Sequence, residues 1–159
     1  MKKKVVIITI AILAIIVAVI ACIFKNLNKE KIPMTTESFK TTMEEKGFDI
    51  QNAKDQFEEY DYVKQVYIAL NGDYQIEFYE LSDVDYAVGF FNNNKSIFEQ
   101  SKGNTSANTN VNLKNYSKYT QSSNGKYKVV SRIDNTVIFL NVDDKYKDDV
   151  KSLLDELGY

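Results

Sequence analysis

Val63-Lys64-Gln65-Val66-Tyr67-Ile68-Ala69-Leu70, then Asn71-Gly72-Asp73, then Tyr74-Gln75-Ile76-Glu77-Phe78-Tyr79-Glu80-Leu81 is the stretch whose reading decides the fold. Two runs rich in β-branched and aromatic residues flank a turn signal, the pattern of an antiparallel hairpin. A three-residue connection sets Leu70 against Tyr74, Ile68 against Ile76 and Val66 against Phe78, giving one oily face. A two-residue loop would set Ile68 against Gln75 and Val66 against Glu77, so the apolar pattern selects the first register. The opposite face then carries Gln65, Tyr67, Ala69, Gln75, Glu77 and Tyr79.

Downstream, Ser82 with Asp83 and Asp85 opens a long helix, and Val84, Ala87, Val88, Phe91 and Phe98 repeat at helical spacing. Residues 101–112 are Ser, Thr, Asn, Gly and Ala with few others, the composition of a loop. Asn124-Gly125 is a type I′ turn signal joining strands 116–123 and 126–133, and Asp134-Asn135 leads into strand 136–142. These registers place Tyr127, Val129, Ser131, Ile133, Ile138, Leu140 and Val142 on the oily face. Tyr119, Lys128, Val130, Arg132, Val137 and Phe139 fall on the other. Asp143 or Asp144 starts a closing helix with Tyr146, Val150, Leu153, Leu154 and Leu157 as its stripe.

Upstream, Thr35 or Thr36 caps a helix bearing Phe39 and Met43, and Gly47 ends it. A short edge strand at 48–50 follows, then a helical piece that buries Phe57. The expectation is an α+β two-layer domain over residues 35–159, an antiparallel sheet of about five strands with amphipathic helices on one face. Hairpin-then-helix occurs twice, at 63–100 and 126–157.

Residues 5–24 are uncharged and apolar but for Thr9, and Lys2, Lys3 and Lys4 precede them. At about 1.5 Å per residue, roughly 20 residues span a bilayer's hydrocarbon core. Residues 1–25 therefore read as a single-pass membrane anchor, signal-anchor in type, and 26–34 as a tether. The amino terminus is expected in the cytoplasm and the domain outside. Val19-Ile20-Ala21-Cys22 also fits a lipobox, so lipidation at Cys22 is the alternative anchor. The length of the run and the apolar Ile23 and Phe24 after the cysteine count against it.

Residues 33–159 hold 14 basic and 21 acidic side chains, a net charge of −7. That balance disfavours nucleic acid as a partner, because phosphate neutralisation supplies most of such affinity. The chain has no His and one Cys, and that Cys lies in the apolar run. Histidine-based general base catalysis, cysteine nucleophiles and thiolate or imidazole metal sites are thereby removed from the domain. No cofactor is expected. The lysine start, the apolar run and the Asn-, Lys- and Tyr-rich domain together resemble small, singly anchored extracytoplasmic proteins of low-GC Gram-positive bacteria. That resemblance carries over no functional residue.

The chain has 11 tyrosines, and Tyr67, Tyr79 and Tyr119 fall with Phe139 on the sheet face away from the expected helices, beside Lys128 and Arg132. Amphipathic rings with cationic edges form a candidate docking face for a protein, peptide or cell-wall partner. The acids Asp143, Asp144, Asp148 and Asp149 are accounted for as helix-start residues. The reading is a membrane-tethered, non-enzymatic binding module. Its alternative is an envelope hydrolase working with Asp and Glu alone, which would need two carboxylates in one cleft.

Overall fold

The computed structural model describes residues 29–103 and 106–159. The hairpin forms, as strands β2 (Val63–Leu70) and β3 (Gln75–Leu81). Asn71 sets the connection: its Oδ1 accepts from the amides of Asp73 at 3.1 Å and Tyr74 at 3.0 Å. Tyr74 therefore belongs to the loop, and Leu70 pairs with Gln75, Ala69 with Ile76, Tyr67 with Phe78 and Val66 with Tyr79. This is one residue away from the expected pairing, and in a strand a one-residue slip exchanges faces. Val66 and Ile68 join Tyr79 on one side; Tyr67 and Ala69 join Phe78 on the other.

Among the described residues seven strands, not about five, make one antiparallel sheet of order β1-β2-β3-β7-β6-β5-β4. The remaining members are β1 (Asp49–Asn52), β4 (Ser106–Asn112), β5 (Tyr116–Ser123), β6 (Lys126–Ile133) and β7 (Thr136–Asp143). Strand β4 lies within the stretch expected as loop. Its side chains are exposed apart from a half-buried Val111, yet its backbone pairs with β5 from Ser106 to Asn112. An edge strand held by main-chain hydrogen bonds needs no apolar alternation, which is why its composition looks like a loop. The Asn124-Gly125 turn has both residues at positive φ, 55° and 73°, and the two-residue loops set the β5–β6 and β6–β7 registers as expected.

Helices α1 (Thr36–Glu45) and α3 (Lys147–Glu156) cover one face, and α2 (Val84–Gln100) covers the other. On the first face Phe39, Met43, Val150 and Leu154 pack on Ile76, Phe78, Val129, Ile138 and Leu140. Phe39 stacks on Phe78 with ring centroids 4.7 Å apart. On the second, Ala87, Phe91 and Phe98 pack on Val66, Tyr79, Tyr119, Val130 and Val137. The domain thus has three layers, and the expectation of helices on one face only is corrected. The central strands carry apolar side chains on both parities, so each face needs a cover. The two hairpin–helix units send their helices to opposite faces and do not repeat as equivalent units.

Helix ends follow local chemistry. Thr35 caps α1 by accepting from the Ser38 amide, and Asp83, rather than Ser82, caps α2 by accepting from Asp85 and Tyr86. Gly47 (φ 81°) and Gly158 (φ 84°) supply the left-handed residue after α1 and α3. Each turns a following ring inward: Phe48 N–H donates to the Met43 carbonyl at 3.0 Å and Tyr159 N–H to the Leu154 carbonyl at 2.8 Å. Tyr159 is buried, and its hydroxyl is hydrogen-bonded to that of Thr136.

Residues Lys31–Tyr159 form one compact unit. Among the described residues no helix is long and apolar enough to cross a membrane. The anchor expected at 5–24, with Cys22, lies outside the described residues.

Burial raises the phenol pKa of Tyr79, Tyr116 and Tyr127, and pushes that of Tyr159 up to about 12. In the unfolded chain these phenols ionise near pH 10, as free tyrosine does. Their contribution to stability is therefore complete below about pH 10 and falls as pH rises toward 12, because the unfolded state releases its protons first. Base titration followed by circular dichroism and phenolate absorbance should show the last tyrosines ionising together with loss of structure. Titration of all 11 tyrosines near pH 10 with the fold intact would contradict this burial.

Candidate binding surface

The structure brings five of the six expected surface residues to one face and separates the sixth. Tyr79, Tyr119, Phe139, Lys128 and Arg132 share the side covered by α2, whereas Tyr67 lies on the side of α1 and α3. Tyr119 is 1% exposed, Arg132 4% and Tyr79 6%, so this face is a packed layer and not an open platform. Phe98 of α2 lies on Phe139 at 5.5 Å, and the Lys128 ammonium donates to Ser101 Oγ at 2.6 Å beside it. The sequence reading laid the long helix on the opposite face, and that misplacement made these rings look free.

A different set of rings is exposed. Tyr60 and Tyr86 are 45% and 48% exposed, and Tyr62 is half-buried between them. A 3-10 turn at Lys54–Phe57 and the irregular residues after it deliver Tyr60 and Tyr62 to the start of β2. The Tyr60 amide donates to the Phe57 carbonyl at 3.0 Å, and the Ser82 amide to the Tyr62 carbonyl at 2.8 Å. Tyr86 sits in the first turn of α2, its amide held by the Asp83 carboxylate at 3.1 Å. Tyr62 and Tyr86 stack at 4.5 Å and 9°. From there ring contacts of 4.6–6.5 Å run through Tyr60, Phe57 and Tyr79 to Phe90. The exposed tyrosines are thus braced by the half-buried Tyr62 and Phe57, which limits the entropy a ligand must remove on binding them.

Along the outer side of α2 these rings border a groove of about 340 Å³, lined by Tyr62, Asp85, Tyr86, Gly89, Phe90 and Asn93. Gly89 is part of that lining. A glycine inside a helix costs roughly 1 kcal/mol relative to alanine. Here a Cβ would meet no atom within 4 Å, so internal packing does not demand it. What the glycine does is leave the helix backbone open between ring faces and two polar side chains. Such a surface can stack a flat apolar face and accept or donate hydrogen bonds at its rim.

A second cleft, of about 360 Å³, opens where β3 and β7 separate beyond Glu77 and Phe139. Its lining includes two carboxylates, Asp73 and Asp143. Lys126 Nζ stands 2.5 Å from Asp143 Oδ1 and holds that carboxyl below the usual range, while the Tyr146 hydroxyl donates to Asp73 Oδ1 at 2.7 Å. Glycoside hydrolysis needs one protonated and one ionised carboxyl, and the lysine suits Asp143 to the ionised role alone.

Tyr119→Ala should cost on the order of 3–5 kcal/mol, as truncation of a fully buried ring does. Gly89→Ala should raise stability by about 0.5–1 kcal/mol through helix propensity. Urea unfolding of the two variants checks both; a mild Tyr119→Ala or a destabilising Gly89→Ala would contradict the packing of α2.

Comparisons of the chain with protein-family models, with curated proteins and with solved structures find no match.

Proposed function

We propose that the chain is a non-enzymatic binding module, held beside a membrane by residues 5–24, whose α2 groove takes a glycan chain of the cell envelope. The observation that carries this reading is Gly89: a helix-interior glycine, not required by packing, that opens a groove between the exposed Tyr86 ring and the polar Asp85 and Asn93. Sugar rings present flat C–H faces that stack on aromatic side chains, and hydroxyls that bond to carboxylate and amide groups. The groove offers both kinds of contact. Polar Asp85 and Asn93 stand in its lining beside the rings, which suits a hydroxylated chain better than an aliphatic anchor.

The test uses the full chain in detergent micelles, titrated with a panel of neutral and amino-sugar oligosaccharides. The chain has no Trp, so the signal is tyrosine fluorescence. At least one oligosaccharide should bind, and Tyr86→Ala or a groove-filling Gly89→Leu should weaken it tenfold or more, about 1.4 kcal/mol or above. Absence of binding across the panel, or binding indifferent to both substitutions, would overturn the assignment.

A further inference from the structure

On the other flank of α2, a recess of about 330 Å³ lies between that helix and strands β4, β5 and β6. Its lining includes Asn92 and Lys95 from α2, Asn110 and Asn112 from β4, Ser117 from β5 and Arg132 from β6. Arg132 is 4% exposed. Its Nη1 donates to the main-chain oxygen of Asp134 at 3.1 Å and its Nη2 to Ser117 Oγ at 3.3 Å. Its Nε is buried and has no acceptor. Both acceptors are neutral. The nearest acid, Asp134, gives the guanidinium only its carbonyl, while its carboxylate Oδ2 accepts from Asn115 Nδ2 at 3.0 Å.

A buried cation whose hydrogen bonds end on neutral groups is costly, because its lost hydration is not offset by a direct hydrogen bond to an anion. Desolvation accordingly draws the Arg132 pKa below its ordinary value, with Asp134 opposing. The surroundings add positive charge. Lys95 lines the same recess with its ammonium 5.9 Å from the Tyr119 ring, and no carboxylate is among the described lining residues. In a domain with 14 basic and 21 acidic side chains after residue 32, this is a local reversal of sign. The amides of Asn92, Asn110 and Asn112 add N–H donors around the cations, and the Ser117 hydroxyl already donates to Asn112 Oδ1 at 2.9 Å.

We infer that this recess is a binding site for a small organic molecule carrying a phosphoryl or carboxylate group, with Arg132 at its base and Lys95 and the asparagine amides at its rim. Guanidinium, ammonium and amide N–H groups in one recess, with no carboxylate among its lining residues, are what an oxyanion requires. The volume is at the low end of small-molecule sites, roughly 300–1,000 Å³, and exceeds what a bare inorganic ion fills. The site is separate from the Gly89 groove and does not depend on it.

The test is calorimetric titration of the full chain in micelles with inorganic phosphate, glycerol 3-phosphate and acetate, each against sodium chloride of equal ionic strength. Glycerol 3-phosphate should bind, more tightly than inorganic phosphate, and raise the melting temperature. Arg132→Gln should weaken binding at least tenfold. Should that buried substitution unfold the domain, Lys95→Gln and Asn92→Ala, on the surface of α2, carry the test, each expected to weaken binding at least threefold with the melt of the free protein unchanged. Tighter binding of acetate than of glycerol 3-phosphate would keep the oxyanion site and assign it to carboxylates. No binding of any of the three beyond chloride, or binding unchanged in Lys95→Gln and Asn92→Ala, would overturn the inference.

Discussion

Both faces of the central strands are buried, and the domain is arranged around that constraint. Ile138 and Leu140 of β7 face α1 and α3, while Val137, between them and the turn, faces α2. Strands β3 and β6 alternate in the same way, with Phe78 and Val129 on one side and Tyr79 and Val130 on the other. Neither face can be left to water without exposing a continuous apolar surface, so three helices divide between two faces. The seam between the halves of the sheet is short, Glu77–Glu80 against Thr136–Phe139, and beyond it the strands part. Helices packed across both faces hold the halves together where the ladder does not.

The position of α2 has consequences for function. By lying on the Tyr79, Tyr119 and Phe139 layer it converts the tyrosines of the sheet into core. The exposed rings that remain, at Tyr60 and Tyr86, rest with the half-buried Tyr62 on that core through an unbroken series of aromatic contacts. One flank of the helix then presents ring faces around Gly89, and the other presents Lys95 above the buried Arg132. Two surfaces of different chemistry thus arise from one helix packed on one sheet. Lys95 and Arg132 give the second flank a positive character against the acidic balance of the domain.

Much of the sheet was legible in the sequence, for reasons that can be traced to particular residues. Asn124-Gly125 and Asp134-Asn135 form two-residue loops, the commonest hairpin connection, so the faces of β5, β6 and β7 followed correctly. Asn71-Gly72-Asp73 did not settle its own loop length. An Asn side chain that captures the amides of both Asp73 and Tyr74 adds a residue to the turn, and with Val66, Ile68, Tyr67 and Ala69 all apolar the pattern could not object. A strand covered on both sides loses the alternation from which register is read. Strand β4 was illegible because its pairing lies in the backbone. At the surface, Lys128 and Arg132 were singled out, but as an exposed rim and not as groups beneath a helix. Tyr60 and Tyr62 come from an irregular segment that periodicity does not reach. Tyr86, Gly89 and Asn93 were available as a signal, since their spacing puts a ring, a gap and an amide on one side of a helix.

The account depends most on α2 lying against the Tyr79 face with β2 in its shifted register. Nuclear Overhauser contacts in the labelled protein test this directly. The account predicts contacts between the rings of Tyr79 and Phe90, between those of Phe98 and Phe139, and across the strands from Val66 to Tyr79. Contacts from Val66 to Phe78 as cross-strand partners, with the Phe98 ring silent toward Phe139, would contradict it.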